Sequence, residues 1–186
     1  RRINSVQSTK QITRAMELIA ATRVVKAMTR ANAARPYSTK MTGVIEDLAA
    51  GGVGIDDPLL RSSETVSSIG FVVITSDRGL AGAYNSSVIR AAEKEIMAAQ
   101  TEGKEYKLVL VGKKAADYFR FRNYQIEASF SGMTDTPSYE DARVVATTVR
   151  DLFVSEAVDQ VILAYQEFVS MGTQRVAVRK LSLIHI

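Results

Sequence analysis

Apolar side chains recur three and four positions apart through the first fifty residues: Ile3, Val6, Ile12, Met16, Ile19, Val24, Ala27, Met28, Ala31, Ala34, Met41, Val44 or Ile45, and Leu48. That spacing predicts a helical stripe rather than a strand. No Pro or Gly falls between Arg2 and Arg35, and those two residues are the strongest helix breakers. An unbroken helix of roughly 45 residues would be about 65–70 Å long at ~1.5 Å per residue. Ordinary globular helices run to ~11–12 residues. A small domain cannot bury such a rod, so it must pair with another helix or be gripped by other proteins. Residues 9–31 are its best helix-forming part, rich in Ala, Met, Leu, Lys and Arg. Ser5, Ser8 and Thr9 are each able to cap a helix start. Pro36 predicts a kink and not an end, because the pattern resumes over residues 40–48. Gly51, Gly52 and Gly54 then stop the helix, and a polar connector runs to Ser68.

From Ile69 the period changes. Residues 69–74 form a short β-branched apolar run, which predicts a buried strand. A loop follows over 75–82, then an amphipathic helix over 85–100 with Asn85 or Ser86 as its cap. Further strands are expected at 106–111, 126–130 and 157–168. Helices are expected at 113–121 and from Pro137 or Ser138 to about Val154, with Glu140 and Asp141 suited to a first turn. This alternation predicts an α/β fold with a mostly parallel, helix-covered sheet.

Charge sharpens the division. The first fifty residues hold nine Arg or Lys against three acids, a balance of +6; with +4 over the whole chain, the remainder carries −2. A basic rod on a mildly acidic body points to an acidic partner. At 46% apolar and 24% charged, the composition is that of a folded globular chain. Cys is absent, so no disulfide framework or thiolate metal site exists. No run reaches the ~18 apolar residues of a spanning helix, and no signal peptide is visible. The first residue is Arg rather than Met, so an N-terminal piece is expected to be missing.

Candidate chemistry is sparse. The loop from Thr75 to Gly82 follows the first strand and precedes a helix, where doubly wound folds place phosphate. It lacks both the dinucleotide fingerprint and a phosphate-loop ending, and Asp77 would repel phosphate. A structural or partner-contact loop accounts for it better, with Asp77 and Arg78 in a salt bridge. The only His is His185, near the end, so no catalytic or metal site is expected. Tyr118, Phe119, Phe121 and Tyr124, interleaved with Arg120 and Arg122, resemble a nucleic-acid platform. Core packing with solvated arginines is the simpler reading. The rod's scattered charges suit protein packing better than a DNA groove.

The stretch from Ser8 to Ala20 (Ser-Thr-Lys-Gln-Ile-Thr-Arg-Ala-Met-Glu-Leu-Ile-Ala) with Ala34-Arg35-Pro36-Tyr37 resembles the N-terminal helix of the gamma subunits of F-type ATP synthases. Thr75 to Asn85 is similar to that family's loop after the first strand. The likeness continues through Val111-Gly112-Lys113-Lys114 and residues 168–174, and covers residues 1 to about 181. It implies a long N-terminal coiled-coil helix (1–50, the rotor shaft), a connector (51–68) and a doubly wound, Rossmann-like foot domain (69–181). Residues 182–186 depart from the pattern and read as an atypical end. The family's C-terminal helix, partner of the first in an antiparallel coiled coil, is missing.

The function this implies is a non-catalytic central-stalk rotor subunit without a nucleotide site, cofactor or metal. It would transmit rotation between the membrane c-ring and the catalytic alpha/beta ring. Partners would be the alpha, beta and epsilon subunits and the c-ring, with no nucleic acid and no transmembrane span. The location would be the cytoplasmic face of the bacterial plasma membrane. By matching position, Lys10, Thr13, Met16, Ala20, Arg23 and Lys26 would face the alpha/beta ring. Asp77, Arg78, Gly79, Leu80, Ala81 and Gly82 would lie near the beta subunits' acidic lever. The cysteine-bearing loop of the chloroplast version is absent, and residues 112–123 look closest to actinobacterial members. The alternative is a small Rossmann-like nucleotide- or nucleic-acid-binding protein with a basic helical arm.

Overall fold

The structure is a computed structural model that describes residues 2–50, 58–60, 63 and 65–181. The chain divides into two compact units, Arg1–Val53 and Gly54–Ile186. The expected helix stop at Gly51, Gly52 and Gly54, most of the connector and residues 182–186 lie outside the described residues.

The first unit is one helix, α1 (Arg2–Ala50), of 49 residues with Pro36 inside it. The helix continues past the proline, as the resumed periodicity requires. Its threonines turn their hydroxyls back onto the helix: Thr9, Thr22 and Thr29 each donate to the carbonyl four residues earlier at 3.0 Å. The expectation of a single apolar stripe needs correction. At about 100° per residue, Ile12, Met16 and Ile19 share one side, while Leu18 and Val25 lie roughly 140° round. All five are exposed. Exposed apolar positions therefore lie on more than one side of α1.

The second unit is an α/β sandwich. It opens with a 3₁₀ turn (Pro58–Leu60) and continues β1 (Ser68–Ile74), α2 (Tyr84–Thr101), β2 (Glu105–Val111), α3 (Lys113–Phe121), β3 (Ala128–Phe130), α4 (Tyr139–Val154), β4 (Gln160–Ser170) and β5 (Thr173–Lys180). The sheet order is β3-β2-β1-β4-β5. The first four strands run parallel and β5 runs antiparallel to β4. Strand alternation sorts the core into two layers. Phe71, Val73, Leu108 and Leu110 pack with Val88, Ile96 and Phe119 of α2 and α3. Val72, Val109 and Val161 pack with Val145, Val149 and Phe153 of α4 on the other face. Right-handed crossovers demand this split, because the chain winds one way from β1 to β3 and back the other way to β4.

Four expectations change. β5 was not foreseen: its charged face, with Arg175 and Arg179 on Glu167 at 2.6 and 2.9 Å, hides an edge strand that only β4 pairs. β4 outlasts β1, whose pairing ends at Val73↔Ala164, so the rest of the β4–β5 hairpin is two-stranded. Neither Asn85 nor Ser86 caps α2. The cap is Ala83, without a side-chain bond, and the Asn85 side-chain oxygen Oδ1 instead accepts the Ser76 amide at 2.9 Å. Among the aromatics, Phe119 is buried but Phe121 is 84% exposed. Tyr118 and Tyr124 donate to Glu93 at 2.8 and 3.0 Å, and Arg122 approaches the same carboxylate at 3.5 Å. The cluster therefore fastens α2 to α3 through a polar bond set, and Arg122 belongs to it.

Of the two openings that the sequence offers for α4, Pro137 and Ser138, the structure uses Ser138 as the cap. It forms a reciprocal capping box with Asp141: the Asp141 amide donates to the Ser138 hydroxyl at 3.2 Å and the Ser138 amide to the Asp141 carboxylate at 2.9 Å.

Candidate functional site

The C-terminal rim of the parallel strands carries the loop between β1 and α2. Three chain segments meet there, and Asp77 joins them. Its Oδ1 accepts the Lys113 amide at the start of α3 at 3.0 Å. Its Oδ2 accepts the Gly132 amide at 2.9 Å, the Thr134 amide at 3.1 Å and the Thr134 hydroxyl at 2.7 Å. The Asp77 amide donates back to that hydroxyl at 2.8 Å. The loop also feeds the next two amides of α3. The Ser76 carbonyl takes the Lys114 amide at 3.1 Å, and the Thr75 hydroxyl takes the Ala115 amide at 3.0 Å. Helix N-termini leave such amides unpaired and attract anions. Here the chain's own carboxylate, carbonyl and hydroxyl occupy the α3 start.

The expected Asp77–Arg78 salt bridge does not form. Arg78 pairs instead with Asp135 at 2.7 Å. Both loop residues thus reach the segment after β3, but through different partners. The Asn85 side chain donates weakly to the Arg78 carbonyl at 3.4 Å. The result is a finger pinned at 75–78 and at Asn85, with Leu80 at its tip in left-handed backbone (φ 61°) and 92% exposed. Left-handed backbone is costly for a leucine, and an exposed leucine gains nothing from its own fold. Gly79, Ala81 and Gly82 flank it, all exposed.

Partial burial alone would raise the Asp77 carboxyl; the Thr134 hydroxyl and the amides of Gly132, Thr134 and Lys113 outweigh it and hold the pKa at about 2, against 3.8 ordinarily. A lowered pKa stabilises the fold above the unfolded value, and that stability is lost as pH falls through the folded value. The advantage of the parent over Asp77→Asn should therefore be constant above about pH 5. It should narrow by about 1–2 kcal/mol on descent to pH 2, read from urea unfolding midpoints. A gap that does not change with pH would show the charge to be irrelevant.

On α1, Lys10, Thr13, Met16, Ala20, Arg23 and Lys26 are all exposed. At about 100° per residue they spread over roughly half the circumference. The structure gathers them along one rod but not onto one narrow face, and the rim loop belongs to the other unit. Sequence reading missed Thr134, Asp135 and Gly112 as parts of the loop's support. The available signal was a glycine directly after β2 and one shortly after β3. Among the described residues no cluster of His, Cys, Asp or Glu could hold a metal, and no helix is long and apolar enough to cross a membrane.

Comparison with known proteins is consistent across the chain. The family model described as ATP synthase matches residues 1–185. The ATP synthase gamma chain of Frankia casuarinae is 45% identical over 97% of this chain and 62% of its own length. That of Nocardioides sp. is 44% identical over 98% of this chain and 61% of its own. The gamma chain of Trichormus variabilis is 42% identical over 97% and 58%. The chain thus spans about three-fifths of the length of these relatives. Among solved structures, a chain of the Tetrahymena thermophila mitochondrial ATP synthase central stalk and c-ring shares the fold. It aligns at a TM-score of 0.56 and 21% identity over 81% of this chain and 71% of that one. By the match of the family model along nearly its whole length, the chain belongs to the ATP synthase family that this model describes.

Proposed function

We propose that this chain is the shaft and foot of a rotor subunit in a proton-translocating ATP synthase. It carries torque between a membrane c-ring and a catalytic alpha/beta ring and performs no catalysis itself. The observation that carries this reading is α1. It is 49 residues long and exposes apolar residues on several sides, as suits a shaft gripped all round. Its basic balance favours acidic neighbours. Lys10, Thr13, Met16, Ala20, Arg23 and Lys26 are the proposed contacts with the alpha/beta ring. The finger from Asp77 to Gly82 is the proposed contact with an acidic beta-subunit segment. The epsilon subunit and the c-ring complete the proposed partners. The complex would lie on the cytoplasmic face of the bacterial plasma membrane. The nucleotide-binding alternative is weakened where it needed support, since the rim loop fills the α3 start with its own oxygens and places a carboxylate there.

The test is assembly. The chain, completed to the length of its relatives, should form a stable ATP-hydrolysing complex with alpha and beta subunits of a gamma-chain relative. Absence of any complex would sink the shaft reading, and tight ATP binding by the isolated chain would favour the alternative. Within the complex, Leu80→Ala should weaken assembly on the order of tenfold, as removal of an exposed apolar anchor does. It should leave the melting temperature of the chain unchanged. An unaltered assembly constant, read by analytical ultracentrifugation, would mean that the finger does not dock.

A further inference from the structure

Two lysines open α3 and do nothing for that helix. Lys113 and Lys114 stand in its first turn, which holds no acidic residue. Cations at the positive end of a helix weaken it, and α4 carries Glu140 and Asp141 in the same turn. The Lys114 side chain lies along the finger instead: a Cβ at Gly79 would meet its Cε at 3.8 Å and its Nζ at 4.0 Å. Among the described residues Lys114 has no carboxylate partner. The finger's own cation is engaged. Arg78 Nη2 pairs with Asp135 Oδ2 at 2.7 Å, and the two side chains are 74% and 32% exposed. A pair so open to water holds weakly, because solvent screens it. Asp77 is the contrast. The chain's own donors fix it, and through Thr134 it also fixes the place of the neighbouring Asp135.

We propose that an acidic segment docking on the finger is met by Lys114 and Arg78 together, with Asp135 as an internal competitor. Asp135 holds Arg78 in the free subunit and gives it up on docking. The assignment rests on the finger contact proposed above and adds what regulates it. Arg78 leaves one carboxylate for another, and Asp135, already part-exposed, returns to water, so no charge is left buried and unpaired. A lone carboxylate gains nothing by displacing its equal. A segment with several carboxylates attracts Arg78 and Lys114 at once and displaces Asp135. The competitor therefore makes the finger discriminate clustered acids from isolated ones.

Assembly of the chain, completed to the length of its relatives, with alpha and beta subunits of a gamma-chain relative reads this directly. Asp135→Asn should tighten assembly about threefold, and Asp135→Ser should do the same, since only the charge matters. Both should leave the melting temperature of the chain within about 2 °C of the parent. Arg78→Ala and Lys114→Ala should each weaken assembly about threefold. With Arg78→Ala already present, Asp135→Asn should give at most about half its gain; with Lys114→Ala present it should keep all of it. An equal gain with and without Arg78 overturns the proposal, because Asp135 would then only repel the partner. So does an unchanged assembly constant in Asp135→Asn or in Lys114→Ala. Leu80→Ala separates this from the finger contact itself. A loss there, with no effect at residues 78, 114 and 135, keeps the contact and refutes the competitor, whereas no loss in any of the variants refutes both.

Discussion

Gly112→Ala is expected to lower the melting temperature of the α/β unit by roughly 10–15 °C, the largest effect of an alanine at any of the described glycines. Gly112 has φ 95° and ψ 137°, a region that only glycine enters freely. A Cβ there would land on the Thr75 carbonyl, with its carbon at 2.6 Å and the Thr75 hydroxyl oxygen at 2.8 Å. Thr75 cannot yield. It is buried, its amide is held by the Val111 carbonyl at 2.8 Å, and its hydroxyl serves α3. Strain and overpacking together cost about 4 kcal/mol, against a total stability of ~5–15 kcal/mol for a typical domain. A loss of that size moves melting by about 3 °C per kcal/mol in a chain of this length. Gly82→Ala is the control. Its φ is 56° and nothing lies within 4 Å of the new methyl, so about 1 kcal/mol is expected. Calorimetric melting of the two variants within 3 °C of each other would refute the assignment of Gly112 to a closed corner.

Asp77→Ala is expected to cost about 2–4 kcal/mol, since one change strips acceptors from three amides and a hydroxyl at once. Asp77→Asn should be nearly as damaging. Whichever way its amide turns, an NH₂ group faces donors: the Lys113 amide on one side, or those of Gly132 and Thr134 on the other. Thr134→Val should cost less, about 1 kcal/mol, because Asp77 keeps its three amides. The double variant Asp77→Ala with Thr134→Val should fall well short of the sum, as for groups in one network. Additive losses, measured by urea unfolding at pH 7, would mean that the rim bonds act independently. Local hydrogen exchange should also quicken at Lys113 and Gly132 together, since both amides share the lost acceptor.

The strands were legible because their residues carry a local signal. Residues 69–74 and 108–111 are apolar throughout, as strands covered on both faces must be. Ser138 and Asp141 announce α4 by a capping box confined to four residues. β5 gave no such signal. It is an edge strand with only three apolar residues, Val176, Ala177 and Val178, between Arg175 and Arg179, and its pairing with β4 completes it as a strand. Asp77 shows the other limit. Beside Arg78 in sequence, it reads as half of an ion pair. Its donors lie 36, 55 and 57 residues away, where no spacing rule reaches. The same distance problem separated Asn85 from its bond to Ser76, which turned an evident helix cap into a loop anchor. Along α1 the three- and four-residue spacing was read correctly as helix. Tracing it round the circumference was needed to see that no single side is apolar.

The many-sided apolar surface of α1 has a consequence for biosynthesis. Translation runs at ~5–20 residues per second, N-terminus first. α1 therefore leaves the ribosome while the roughly 130 residues of the parallel sheet and its helices are still unmade, an interval on the order of ten seconds. The sheet, whose strand order sets β1 between β2 and β4, cannot close until β4 has emerged. A finished helix with Ile12, Leu18, Ile19 and Val25 uncovered thus waits among other nascent chains. Its seven Arg and Lys residues from Lys10 to Lys40 keep such rods apart by mutual repulsion, and salt weakens that protection. The yield of soluble chain should therefore fall as the ionic strength during synthesis rises.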